Sequence, residues 1–260
     1  MKKRKIYIHF INEKFLNSSE YLLVFLHNGL GSVAQWGAFP SIICESLNMP
    51  GFAYDRVNYG KSENDDTFWN TNFLEREANE VLPYLLTSHN LNKKLVLVGH
   101  SDGATISLIY AAYHTLSVSG VIAIAPHIFV EEKMINGIKN LVEEYVKGTL
   151  RRKLARYHQN IDKLFSNWKD IWLSDRFTKW NITELLHLIK CPVLIIQGDS
   201  DEFATIDHIE HIRRNIEKAY VQILPDAHHT FNRNEQKYIG GLIFDFIKKY
   251  VYVLNYKDSH

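Results

Sequence analysis

Five consecutive residues near the middle of the chain have the types and spacing of a nucleophilic serine site. They read Gly99-His100-Ser101-Asp102-Gly103, a G-x-S-x-G pattern. A serine hydroxyl attacks an ester carbonyl when a histidine takes its proton. In a tight turn the two glycines leave room for the backbone, Ser101 projects outward, and the next N–H points at the carbonyl oxygen. The pattern therefore predicts acyl transfer through Ser101.

The histidine and the acid that such a serine needs both occur further along the chain. One acidic loop carries Asp199, Asp201 and Glu202, and a later loop carries His228 and His229 side by side. An acid beside the histidine holds its tautomer and stabilises its protonated form. The order serine, acid, histidine is the order expected after a G-x-S-x-G turn between a strand and a helix. From the residues alone, the choice within each loop stays open.

Strands must position these residues, and apolar segments of strand length precede the serine and both loops. Strand and helix patterns alternate along the chain, which predicts a mostly parallel sheet with helices on both faces. Such sheets bind ligands beyond the carboxyl ends of their strands, where these loops fall. The predicted strands are Lys5–Phe10, Tyr21–Leu26, Gly51–Tyr54, Lys94–Val98, Val121–Ala125, Val193–Gln197 and Tyr220–Leu224, and the predicted long helices are Phe73–Leu86 and Gln236–Tyr250.

The alternation stops between Ala125 and Cys191, where several helical patterns follow one another. We therefore predict one α/β core formed by residues 1–126 and 191–260, with residues 127–190 as a helical cap. A chain of 260 residues is long enough for such a domain.

The predicted cap is rich in aromatic residues, which cluster between Leu164 and Trp180. We predict that Trp168 and Trp172 line an apolar substrate pocket above the serine. The alternative is that these rings only attach the cap to the core.

Taken together, these stretches resemble the α/β-hydrolase family over almost the whole chain. The Ser-Asp-Gly turn and the Leu-Pro-Asp-x-x-His ending are similar to those of valacyclovir hydrolase-like (biphenyl hydrolase-like) proteins. The chain departs from the family pattern at Asn28, within His27-Asn28-Gly29, and at His228, which stands where a glycine is usual. The matching stretches are 27–32, 54–62, 99–103, 198–201 and 226–229.

The resemblance implies roles for particular residues. The triad would be Ser101, Asp201 and His229, and Asp199 and Glu202 would then cap a helix that begins near Ala204. The backbone N–H groups of Asp102 and Gly29 would form the oxyanion hole, with the N–H of Leu30 as the second choice for Gly29. Leu30 would also contact the substrate.

The Asp102 side chain has two interpretations. By resemblance to the valacyclovir hydrolase-like proteins, its carboxylate would bind the amino group of a cationic amino-acid ester. The alternative is that the carboxylate is hydrogen-bonded locally and never meets the substrate.

The composition limits the partners. The formal net charge is +1, from 30 basic and 29 acidic residues, which argues against nucleic acid or an anionic membrane as a partner. The two cysteines lie far apart in apolar surroundings, which predicts buried free thiols and a cytoplasmic protein. We predict no metal and no cofactor, and we interpret His208 and His211 as a solvated helix face. The sequence leaves the oligomeric state open.

The predicted function is that of a serine hydrolase that cleaves a small to medium carboxylic ester through an acyl-enzyme. Two alternatives remain at this point. The same fold and triad serve C–C bond hydrolases of ring-fission products, and a ligand-binding protein could keep the fold with vestigial hydrolase activity.

Overall fold

Seven strands form one sheet in the computed structural model, which describes residues 4–65 and 69–252. The strand order is β1-β3-β2-β4-β5-β6-β7, with β1 antiparallel to β3 and the other neighbours parallel. Residues 1–3, 66–68 and 253–260 of the predicted core lie outside the described residues. The strands are β1 (Ile8–Ile11), β2 (Tyr21–Leu26), β3 (Gly51–Tyr54), β4 (Lys94–His100), β5 (Val118–Ile124), β6 (Val193–Gly198) and β7 (Ala219–Leu224).

Helices cover both faces of the sheet, as predicted. Alternate strand residues point to opposite faces, so Leu22 and Val24 pack under α2, α3, α4 and α8, whereas Leu23 and Phe25 pack under α1 and α9. The helices are α1 (Phe39–Leu47), α2 (Phe73–Arg76), α3 (Leu82–Ser88), α4 (Asp102–Tyr113), α5 (Glu132–Val146), α6 (Thr149–Leu154), α7 (Ile161–Trp172), α8 (Asp207–Asn215) and α9 (Arg233–Phe246).

The first strand begins later than predicted, at Ile8 instead of Lys5. The residues before it bind a loop instead of a strand. The Tyr7 N–H donates to Ser62 Oγ at 2.8 Å, and the Glu63 N–H donates to Lys5 O at 2.9 Å. The backbone groups of this segment are therefore hydrogen-bonded to a loop and not to a neighbouring strand.

The predicted helix over Phe73–Leu86 is interrupted. A π-helical turn over Glu77–Val81 joins α2 to α3. Pro83 follows in the first turn of α3, where its fixed φ and missing N–H are tolerated. The turn buries the Glu77 side chain against the sheet.

Three α-helices of the described residues, α5, α6 and α7, lie in the inserted segment between β5 and β6, followed by a 3-10 helix over Thr183–Leu188. Backbone pairing joins the two ends of this segment: the Ile182 N–H donates to Ile128 O at 2.8 Å, and Phe129 bridges Asn181. The aromatic stretch predicted to continue to Trp180 is helical only as far as Trp172. Among the described residues no helix is long and apolar enough to cross a membrane.

Candidate active site

A sharp turn between β4 and α4 carries Ser101. Its φ of 56° and ψ of −119° lie in a region that L-residues rarely adopt, and its N–H donates to Ile124 O at 2.8 Å. A Cβ on Gly103 would lie 1.9 Å from Leu26 O, and one on Gly99 would lie 2.1 Å from Gly103 O. Because backbone atoms stand on both sides, the turn needs glycine at both positions.

The structure brings together the three predicted triad residues. His229 Nε2 lies 3.0 Å from Ser101 Oγ, and His229 Nδ1 lies 2.7 Å from Asp201 Oδ2. With the proton on Nδ1, the ring donates to the carboxylate and accepts from the hydroxyl, which is the arrangement of a general base. The neighbouring His228 is exposed and contacts Glu202 instead.

Asp201 is held as a carboxylate by the donors around it. Its Oδ1 accepts from the N–H groups of Phe203 and Ala204, and its Oδ2 accepts from Gln197 Nε2 at 2.6 Å. Burial alone would raise the pKa of Asp201, but the hydrogen bond and charge of His229 outweigh it and hold that pKa well below the usual value. The charge that would stabilise an imidazolium is therefore present at neutral pH.

The other two acids of this loop do not cap a helix, which corrects the expectation for them. Asp199 Oδ1 accepts the Asp226 N–H at 2.8 Å, and Glu202 Oε2 accepts the His229 N–H at 3.0 Å. The physical reason is distance, since α8 begins only at Asp207 whereas the histidine loop presents free donors beside both side chains. The two acids fix the loop that carries the histidine.

Asn28 organises the loop after β2. Its Oδ1 accepts the Leu30 N–H at 3.1 Å, and its carbonyl accepts the Gly31 N–H at 3.0 Å. The hydrogen bonds among the described residues leave the Gly29 N–H without an acceptor. Of the two N–H groups considered for the oxyanion hole, Gly29 is thus available and Leu30 is engaged.

His100 links this loop to the histidine loop. Asn28 Nδ2 donates to His100 Nδ1 at 3.3 Å, and His100 Nε2 donates to the His229 carbonyl at 2.9 Å. Burial, with the nearby His229, lowers the pKa of His100 to about 4, so the ring is neutral and serves as both acceptor and donor. The pairing also gives the unusual Asn28 a structural explanation.

A buried arginine neutralises Asp102. Arg56 Nη1 lies 3.3 Å from Asp102 Oδ2, Arg56 Nη2 donates to Asn28 O at 2.7 Å, and the side chains of the ion pair are each 3% exposed. Burial raises the pKa of Asp102, and the positive charge of Arg56 opposes that rise. The geometry fits the interpretation in which the Asp102 carboxylate is hydrogen-bonded locally.

A cavity of about 620 Å³ opens above Ser101. The predicted substrate-contacting residues Asp102, Leu30, Trp168 and Trp172 all line it. The two indole N–H groups are buried, and within the described part of the chain neither has a hydrogen-bond acceptor.

One of the two histidines interpreted as a solvated helix face differs from that expectation. His208, predicted to be solvated, is fully buried: its Nε2 donates to Glu131 Oε1 at 3.0 Å, and its ring stacks on Phe129. That prediction was wrong because the inserted segment covers this face of α8; His211 is exposed. Among the described residues no group of three or more side chains could hold a metal ion.

His127 is the cavity residue that sequence reasoning missed. Its ring centroid lies 5.3 Å from that of His229, and burial, together with His229 and His208, lowers its pKa well below the usual value. A signal was available, because His127 follows the carboxyl end of β5, where open parallel sheets place ligand-contacting residues.

A serine on a strand–helix turn, with acid and histidine following later strands of a mostly parallel sheet, defines the α/β-hydrolase class. Residues 23–238 match the alpha/beta hydrolase family, and the chain belongs to that family. The predicted family and fold are thus confirmed.

Individual relatives are distant. The chain is 23% identical to the protein "Serine hydrolase BPHL" of Mus musculus over 241 residues, which cover 90% of this chain and 81% of the relative. The solved structure of VinJ is similar at a TM-score of 0.73 and 16% identity, covering 96% of this chain and 97% of that chain. An enol-lactonase from Burkholderia xenovorans LB400 gives a TM-score of 0.70 at 15% identity, with 95% and 97% covered.

Proposed function

We propose that the protein is a serine hydrolase that cleaves small to medium carboxylic esters through an acyl-enzyme. The observation that carries the proposal is the continuous path from Ser101 Oγ through His229 to Asp201, with distances of 3.0 and 2.7 Å. The similarity to a Mus musculus protein named as a serine hydrolase agrees with it.

In the acylation step, Ser101 Oγ attacks the ester carbonyl carbon while its proton moves to His229 Nε2. Negative charge develops on the former carbonyl oxygen, and the N–H groups of Gly29 and Asp102 donate to it. Asp102 begins α4, so its N–H has no intrahelical acceptor. The tetrahedral intermediate collapses, the C–O bond breaks, and His229 returns the proton to the departing alkoxide.

In the deacylation step, water takes the place of the alcohol. His229 accepts a proton from the water as its oxygen attacks the acyl carbon, and the same two N–H groups stabilise the oxyanion. The bond to Ser101 Oγ breaks, Ser101 recovers its proton, and the carboxylic acid leaves.

The inserted segment 127–190 is proposed to act as a cap that sets the substrate size. Its α5 and α7 contribute Met134, Ile138 and Trp172 to the wall of the cavity above Ser101. A cavity of about 620 Å³ has the volume of a site for a small or medium organic molecule.

The test is covalent labelling with a fluorophosphonate probe, which reacts with activated serines. We expect the wild-type protein to be labelled and Ser101→Ala and His229→Ala to be unlabelled. The control is His228→Ala, which removes the exposed neighbour of His229 and is expected to label like the wild type. Circular dichroism of each variant establishes that it is folded.

Each outcome bears on the proposal. Labelling that depends on Ser101 and His229 supports it and leads to kinetic assays with esters. A folded wild-type protein that resists labelling and hydrolyses no ester overturns it, in favour of a ligand-binding role.

A further inference from the structure

The charges around the cavity are unevenly distributed. Among the described residues that line it, the Asp, Glu, Lys and Arg side chains are Asp102, Lys153 and Arg156. Asp102 is neutralised by Arg56 at the cavity floor. Lys153 and Arg156 are exposed, and no carboxylate of the described chain pairs with either of them. The unpaired charges that line the cavity are therefore both positive.

Both cations lie at the C-terminal end of α6. Lys153 is in its last turn and Arg156 follows it, while Leu150 and Leu154 of the same segment line the apolar part of the cavity. Neighbouring Arg151 is bound to Asp162 at 2.6 Å and so does not contribute a free charge. The part of the cavity wall that this segment contributes thus combines apolar side chains with two exposed cations.

A second cavity extends the cationic surface. It has a volume of about 250 Å³ and shares Ser32, Arg156 and Tyr157 with the first. Lys61 lines it as well. The one carboxylate on its described wall, Asp55, is buried, and its oxygens accept the N–H groups of Val33 and Lys61 at 2.7 and 2.8 Å.

From these observations we propose that Lys153 and Arg156 form a subsite for an anionic group, a carboxylate or a phosphate, on the ester substrate. The inference rests on the proposed esterase activity and names its substrate class. A cationic amino-acid ester would need the opposite charge in the site, and the described residues that line the cavity offer it no unpaired carboxylate.

Matched neutral and anionic esters test the proposal. To place the charge on the leaving group of the ester, the substrates are phenyl butanoates with a para carboxamide, a para carboxylate or a para phosphate. To place the charge on the acyl chain, the substrates are para-nitrophenyl hexanoate and the mono-para-nitrophenyl ester of adipic acid. The measured quantity is the ratio of kcat/KM for the anionic ester to that for its neutral partner, at low and high salt.

Charge reversal at the mouth is compared with charge reversal next to it. We expect Lys153→Glu/Arg156→Glu to lower that ratio at least about tenfold at low salt, because two attractions become repulsions, and added salt to shrink the effect. The matched control is Arg152→Glu, which changes the charge of the same helix at an exposed residue outside both cavities. This control is expected to keep the wild-type ratio. Comparison of the carboxylate and phosphate arms identifies which anion the subsite prefers.

The outcomes separate this inference from the proposed function. The subsite is overturned if the double variant keeps the wild-type ratio of kcat/KM for anionic and neutral esters. It is also overturned if Arg152→Glu lowers this ratio as much as the double variant does. Both outcomes leave the proposed esterase activity intact. If no ester is cleaved, para-hydroxybenzoate and para-hydroxybenzamide are titrated against the protein by tryptophan fluorescence. Tighter binding of the acid that the double variant loses supports the subsite, and equal binding overturns it.

Discussion

Asp201 accepts hydrogen bonds on both carboxylate oxygens, yet a single one of them faces His229. Oδ1 holds the turn through Phe203 and Ala204, and Oδ2 holds the imidazole. At the residue scale, one side chain thus connects the local backbone to the imidazole of His229, and a change at Oδ2 alone tests the role proposed for it.

We predict that Asp201→Asn lowers kcat by about a thousandfold or more, because an amide N–H2 facing Nδ1 reverses the tautomer and leaves Nε2 unable to accept the serine proton. Asp199→Asn, in the same loop, keeps its acceptor for the Asp226 N–H and is expected to lose little activity. Steady-state kinetics of both variants check this. Equal losses in the two would show that the loop's shape, not the acid at 201, matters.

At the scale of elements, contacts between backbone segments shape the turn that carries Ser101. Gly103 packs its Cα against the Leu26 carbonyl of β2, so α4 approaches the sheet more closely than a side chain would allow. Such proximity brings the N–H at the start of α4 near the loop after β2.

Gly103→Ala is therefore predicted to lower the free energy of unfolding by about 3 kcal/mol or more, since the added methyl overlaps backbone that cannot move freely. Gly241→Ala is the control: nothing lies within 4 Å of a Cβ there, and α9 should gain about 0.5–1 kcal/mol. Denaturant unfolding of both variants measures the difference. Equal stability of the two variants would contradict the packing argument.

The π-helical turn before α3 buries an acid. The Tyr54 hydroxyl donates to Glu77 Oε2 at 3.0 Å, and burial raises the pKa of Glu77 to about 7, against the opposing charge of Arg56. The unfolded chain titrates the same group near pH 4.3. Between these two values the folded state alone keeps the proton, so the free energy of unfolding falls as pH rises.

We predict that Glu77→Gln, which keeps an acceptor for the Tyr54 hydroxyl, removes this loss of stability with rising pH. Relative to the variant, the wild type should become less stable by about 3 kcal/mol between pH 4.5 and about pH 8, with no further change above that. Urea unfolding of both proteins at several pH values provides the comparison. A constant difference across the range would show that Glu77 ionises as readily in the folded state as in the unfolded one.

On the scale of the whole molecule, buried neutral histidines connect the core with the inserted segment. His158 accepts the Gly60 N–H on Nδ1 at 3.0 Å and donates from Nε2 to Leu30 O at 3.0 Å. It thereby binds the inserted segment to the loop that carries Gly29. Burial lowers the pKa of this ring and of His27, His100 and His127.

These histidines predict how the stability of the whole protein depends on pH. Below about pH 6.5 the unfolded chain protonates them while the folded protein does not, so stability is complete above that pH and is lost as pH falls toward 4. Glu77, Asp55 and Asp102, whose pKa values burial raises, oppose this change in part. We expect the free energy of unfolding to rise by more than about 1.4 kcal/mol per pH unit between pH 5 and pH 6. Urea titrations across this range measure the slope, and a flat or falling curve would contradict it.

The sequence by itself determined the features that neighbouring residues encode. The Gly99–Gly103 turn, the alternation of strands and helices, and the order of serine, acid and histidine were all readable, because each depends on local spacing or on the direction of parallel strands. The mostly parallel sheet followed from the same patterns. The predictions were wrong where residues bind partners that are distant in the sequence. Residues 5–7 bind a loop instead of extending β1, and Asp199 and Glu202 bind the loop of His229 instead of capping a helix.

Only the tertiary structure decided which charges and donors face the cavity. Arg56 and Asp102 are 46 positions apart, and their pairing depends on how two loops pack over the sheet. The burial of His208, the contact of His127 with His229, and the exposure of Lys153 and Arg156 at the cavity all depend on where the inserted helices lie. No residue carries that information alone, because burial and charge pairing are properties of the packed arrangement and not of the local chain.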